Sequence, residues 1–153
     1  MSPSHVLIIG GGITGLTLAQ AIRKRNATNP TLPPITFAIY ERDAHALSRG
    51  AGWGMTLHWA LQQFRTLLPQ DLVDRFQEAY TDKDAAAAGN LGNFRLYNMQ
   101  TGKDDFLTPP GDSDRHRFAR EKLRKLLMDE LDVQVYSQSG AREQSWVSSA
   151  HQF

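Results

Sequence analysis

Three glycines, Gly10, Gly12 and Gly15, meet the G-x-G-x-x-G spacing inside the stretch HVLIIGGGITGLTLAQAI (5–22). That spacing suits the binding of a dinucleotide diphosphate. The first glycine permits a tight turn, the second lets a pyrophosphate approach the backbone, and the third lets a helix lie close to a strand. A helix starting there turns unpaired N–H groups and the positive end of its dipole toward the phosphates. A strand–helix turn with glycines used only for packing has the same spacing, so the surroundings must decide. The next acid after an apolar run is Glu41, 26 residues past Gly15, with the proline-bearing ATNPTLPP (27–34) lengthening the connection. A carboxylate at that place accepts hydrogen bonds from adenosine ribose hydroxyls and repels a 2′-phosphate, which favours FAD or NAD over NADP.

The elements that must position these residues follow from the local patterns. HVLIIG (5–10) is a β-branched and leucine run suited to a buried parallel strand. From Ile13 to about Asn26 the period is helical, with Leu16, Ala19 and Ile22 on one face and Gln20, Arg23 and Lys24 on the other. ITFAIYE (35–41) restores a strand, giving strand, helix, strand. An irregular glycine-rich piece follows Arg42, then helices over LHWALQQFRTLL (57–68) and QDLVDRFQEAY (70–80). DKDAAAAGNLG (82–92) reads as a mobile connection, and NFRLYNM and DDFLT as two strands of a hairpin around QTGK. REKLRKLLMDEL (120–131) predicts an amphipathic helix with Leu123, Leu126, Leu127 and Leu131 on its apolar stripe, and DVQVY (132–136) a strand. From Ser137 to Phe153, five serines and three glutamines replace any period, so 137–153 is expected to be an irregular tail behind a domain spanning 1–136.

Composition excludes several function classes. With 17 basic against 16 acidic residues and no long block of like charge, nucleic acid is not expected as a partner. The absence of cysteine removes disulfides and thiol catalysis and permits a reducing, cytoplasmic setting. The N-terminal apolar run is short and glycine-rich, so neither a signal peptide nor a membrane anchor is expected. The five histidines have no metal-ligand spacing, and no nucleophile motif is present. His58 and Trp59, at the start of a predicted helix, are expected to pack in the core rather than touch a substrate.

VLIIGGGITGLTLAQAI, IYERD, RGAGWGMTLHWAL and RFAREKLRKLL, in that order, resemble the N-terminal part of FAD-dependent monooxygenases of the aromatic hydroxylase type, especially the fungal enzymes of secondary metabolism. The likeness runs from about Val6 to Tyr136. It implies an α/β fold with a Rossmann-like FAD-binding βαβ unit, a partial parallel sheet, extra helices and a small antiparallel hairpin. It further implies Gly10, Gly12 and Gly15 on the pyrophosphate, Glu41 on the ribose, Arg42 over the adenine, Gly54 near the flavin, and Arg120, opening an R-x-x-L-x-x-x-L helix, near the diphosphate or ribityl chain. The cofactors implied are FAD and, as transient reductant, NAD(P)H, with dioxygen and a small secondary-metabolite substrate; no side chain is assigned a catalytic role. Family members are more than twice this long, which makes a truncated chain the expectation and leaves activity open. A non-catalytic nucleotide-binding or interaction module, its incomplete sheet covered by a partner chain, and a compact NAD-binding oxidoreductase remain alternatives.

Overall fold

The computed structural model describes residues 4–43, 52–88, 95–107, 115–136 and 142–147. Strand β1 (Ser4–Ile9), helix α1 (Ile13–Thr28) and strand β2 (Ile35–Glu41) form the expected unit, and β1 pairs parallel with β2 from Ser4↔Ile35 to Ile9↔Tyr40. Then come β3 (Gly54–Leu57), α2 (Leu61–Leu67), α3 (Gln70–Asp74), a 3-10 turn (Phe76–Ala79) and α4 (Lys83–Ala87). The chain continues with β4 (Arg95–Tyr97), β5 (Asp104–Leu107), β6 (His116–Ala119), α5 (Arg120–Leu127), β7 (Asp132–Tyr136) and β8 (Arg142–Val147).

The main sheet has the order β1-β2-β7-β8, with β7 parallel to β2 and β8 antiparallel to β7. The carboxyl ends of β1 and β2 therefore lie side by side, the place where open α/β sheets hold ligands. One sheet face carries Ile8, Ile39 and Val133 into the core, where they meet Leu16 and Ala19 of α1 and Leu123, Leu126 and Leu127 of α5. Leu123 and Leu127 are fully enclosed, so truncating either to alanine costs about 2–5 kcal/mol. The apolar stripe read from the sequence is thus the stripe that packs. On the other face of β1, Leu7 and Ile9 stand 60 % and 82 % exposed, and β1 is an outer strand of the sheet.

Several elements depart from the sequence expectation. The glycine-rich piece after Arg42 holds strand β3, which pairs antiparallel with β6, Gly54 opposite Ala119. α2 accordingly begins at Leu61 rather than Leu57, and Trp59 lies in the preceding turn, 84 % exposed and outside the core. QDLVDRFQEAY breaks into α3 and the 3-10 turn, whose Phe76 packs edge-on to Phe118. Within the connection expected to be mobile, Asp82 caps α4 by accepting from the Ala85 N–H at 2.8 Å, a local signal strong enough to start a turn of helix. Its remainder, 89–92, lies outside the described residues. The predicted irregular tail contains β8, because β7 offers it a free edge to pair with over Asp132–Tyr136. The β4–β5 hairpin is where the sequence puts it.

Candidate functional site

Glycine decides the geometry at the end of β1. Gly10 has φ +110°, a conformation closed to most other residues, and its N–H donates to the Tyr40 carbonyl at 2.7 Å, which turns the chain at the sheet edge. A Cβ on Gly15 would stand 2.1 Å from the Gly10 carbonyl oxygen, so α1 can cross the turn this closely only with glycine there. Gly12 is different. It is the N-cap of α1, no acid lies in the first turn, and among the described residues no side chain caps it and a Cβ would meet nothing within 4 Å. The space over Gly12 is open to a ligand that the helix N-terminus would attract.

Glu41, buried at the end of β2, faces this loop. Its Oε2 accepts from the Gly11 N–H at 2.9 Å and from Arg124 Nη2 at 3.3 Å, while Oε1 accepts from the N–H groups of Arg42 and Asp43 at 2.7 and 2.9 Å. Both oxygens thus have two donors each, the full capacity of a carboxylate. Arg42 itself points outward, its side chain 65 % exposed and 3.7 Å from Asp43.

Sequence reasoning missed Arg124 and Gly11. Arg124 is 5 % exposed, although it belongs to a residue type seldom buried without a partner. Its Nε donates to the Gly11 carbonyl at 2.7 Å, so one guanidinium holds both the glycine turn and the carboxylate opposite it. A Cβ on Gly11 would press on Glu41 Oε2 at 3.2 Å. The only signal for Arg124 was its place among the leucines of α5, one turn after Arg120.

Gln20 was also misread. It was assigned to the polar face of α1 but is fully buried, with Nε2 donating to the carbonyls of Leu127 and Asp129 at 2.8 and 2.9 Å. Those are C-terminal carbonyls of α5 and its following turn, groups that need a donor when buried. α1 is thereby pinned to α5.

Arg120 opens α5, and its N–H donates to the Trp53 carbonyl at 2.7 Å. Since Gly54 pairs with Ala119, Gly54 and Arg120 are brought together across 66 positions of sequence. Gly10, Gly12, Gly15 and Glu41 form the other group, and α5 joins the two through Arg124. Gly50 lies outside the described residues.

A separate polar cluster sits at the start of β6. His116 Nδ1 lies 2.6 Å from the Tyr80 hydroxyl, and Nε2 lies 3.4 Å from Arg65 Nη2. Burial, with the Arg65 charge adding to it, pushes the imidazole down to about 4, and burial pushes the Tyr80 phenol up.

Comparison with known proteins agrees with this geometry. The chain is 53 % identical over 133 residues to a protein of Arthroderma benhamiae named "Probable FAD-dependent monooxygenase", an alignment covering 87 % of this chain and 29 % of that protein. By sequence, the chain is a relative of the FAD-dependent monooxygenases. It is also 42 % identical over 135 residues to the FAD-dependent monooxygenase tazP of Aspergillus terreus, covering 85 % of this chain and 33 % of tazP. The chain spans about a third of the length of these two relatives. The solved tetrameric form of 2-methyl-3-hydroxypyridine-5-carboxylic acid oxygenase shares the fold, with a TM-score of 0.57 at 16 % identity over 95 % of this chain and 38 % of that one. No family model matches the chain. The glycine turn and, among the described residues, the open space above Gly12 suit a diphosphate such as that of FAD, the cofactor in the relatives' names.

Proposed function

We propose that this chain binds FAD as the nucleotide-binding portion of a flavin monooxygenase. The observation that carries this reading is the open, uncapped start of α1 at Gly12, framed by the turn at Gly10 and the close crossing at Gly15. On this reading the diphosphate lies over Gly12 and receives the first-turn N–H groups of α1. The ribose hydroxyls take over the Oε1 acceptor sites of Glu41 that the Arg42 and Asp43 amides use, while Oε2 stays with Gly11 and Arg124. The exposed Arg42 side chain covers the adenine, and Arg120 and Gly54 serve the ribityl and flavin end.

When bound, FAD would supply the redox chemistry, passing the two electrons of NAD(P)H to dioxygen so that one oxygen atom enters a small secondary-metabolite substrate, by hydroxylation or epoxidation, and the other leaves as water. The chain's own residues bind, orient and exclude water; none is assigned a catalytic role. The FAD-binding unit is taken as 1–136 and the cytoplasm as its compartment, in keeping with the cysteine-free sequence. No helix among the described residues is long and apolar enough to cross a membrane.

The test is a fluorescence titration of FAD against the wild-type chain, Gly12→Asp and Arg120→Ala. Saturable binding weakened by both variants supports the reading; a folded wild-type chain without saturable binding overturns it.

One observation favours a second reading, an interaction module whose sheet is completed by another chain: the outer strand β1 exposes Leu7 and Ile9. Large apolar side chains side by side on an outer strand suit a covering partner. Sedimentation that finds a larger species in the wild type, dispersed by Ile9→Lys, supports it; a monomer at all concentrations speaks against it.

A further inference from the structure

We propose that Arg124 is the residue that sets the shape of the glycine turn, and that nucleotide affinity depends on it although it lies behind the turn rather than over Gly12. The inference rests on the FAD-binding reading for its ligand but not for its geometry. Two parts of the turn are held from one side chain. Arg124 Nε fixes the Gly11 carbonyl at 2.7 Å, and Nη2 meets Glu41 Oε2, the same oxygen that receives the Gly11 N–H at 2.9 Å. The peptide groups on both sides of Gly11 are therefore oriented by one ion pair, whose side chains are 6 % and 10 % exposed. Orienting those peptides fixes where the next amide, that of Gly12, faces, and so fixes the cradle before any nucleotide arrives. Pre-set donors bind an anion more tightly than donors that must be ordered on binding.

The geometry also gives α5 two duties at one turn's spacing. Arg120 stands beside Trp53 and Gly54, and Arg124 stands on the glycine turn. Side chains four apart on a helix share a face. A displacement of α5 thus moves both halves of the site together.

Arg124→Lys keeps the charge but lacks the fork that reaches two acceptors at once. The probes are FAD and ADP, because ADP contains the part of the cofactor that meets this turn. Expected for Arg124→Lys is a loss of about tenfold or more for both, the scale of one charge-assisted hydrogen bond. The Gly11 amide exchanges its hydrogen faster by a similar factor, while the helical amides of Leu16, Thr17, Ala19, Gln20 and Ile22 in α1 keep their protection. Arg124→Gln repeats the exchange and ADP tests should Arg124→Lys fail to fold, and Gly11 again exchanges faster than α1. Gly11 exchange and ADP affinity within twofold of wild type overturn the proposal, as does uniform acceleration across α1, which marks a merely structural residue. If the wild type binds neither FAD nor ADP, the FAD reading fails, and the Gly11 exchange still decides the role of Arg124.

Discussion

Gly12→Ala and Gly15→Ala add the same methyl group three residues apart, and the structure expects opposite consequences. At Gly15 the new Cβ stands 2.1 Å from the Gly10 carbonyl oxygen and 3.0 Å from Ile8 Cγ2. An unforced carbon–oxygen approach is about 3.3 Å, so α1 must back away from the turn by roughly an ångström. Overpacking of this kind costs about 1–3 kcal/mol or more, and alanine returns about 1 kcal/mol through helix propensity. The net loss is about 1 kcal/mol or more, a fall in Tm of at least roughly 2–4 °C for a chain of this size. At Gly12 the Cβ meets nothing within 4 Å and φ is −78°, so alanine fits and costs less than about 1 kcal/mol as a poorer N-cap. The methyl does, however, fill the space proposed for the diphosphate. Thermal unfolding by circular dichroism and FAD titration separate the two: Gly15→Ala loses stability, and Gly12→Ala keeps stability but loses about tenfold or more in FAD affinity, the scale of one hydrogen bond to a charged group. A Gly15→Ala chain melting within a degree of wild type refutes the close crossing; a Gly12→Ala chain binding FAD as well as wild type refutes the phosphate site.

Three further outcomes are expected. His116 has a folded pKa of about 4 against an ordinary value near 6.5, so the unfolded chain takes up a proton first as pH falls. Stability is therefore full above about pH 7 and declines between pH 6.5 and 4, by roughly 1–2 kcal/mol once solvent access to the ring is allowed for. Melting curves across that range show the decline in wild type and a flatter profile in His116→Gln; parallel profiles contradict it. Gln20→Leu fills the same space but leaves the Leu127 and Asp129 carbonyls without their donor, for a loss of about 1–3 kcal/mol read from urea midpoints. Glu41→Ala removes the buried acceptor shared by Arg124 and the Gly11, Arg42 and Asp43 amides and lowers stability by about 1–3 kcal/mol or more, whereas Arg42→Ala, on an exposed side chain, changes it by less than about 0.5 kcal/mol.

What the sequence made legible was the part governed by local chemistry. Gly10 and Gly15 are constrained by a turn only a few residues long, and the strand–helix–strand order around them follows from period and punctuation. What stayed hidden depended on residues far apart in the chain. Arg124 and Glu41 are separated by 83 positions, and Gln20 and Leu127 by 107, so no window of sequence contains either pair. Arg124, Glu41 and Gln20 break the rule that polar residues face solvent, because their partners make burial favourable. β8 escaped notice for a related reason: serine and glutamine have weak strand preference, yet pairing with β7 is decided by the edge that strand offers rather than by propensity. Glu41 shows the same limit of a local reading. Its place at the end of β2 leads one to expect a ribose acceptor, while its four donors, one of them Arg124, put it to work holding the turn. On the proposed reading Oε2 stays with the turn and Oε1 turns to the ribose, which is why the two roles need separate measurements.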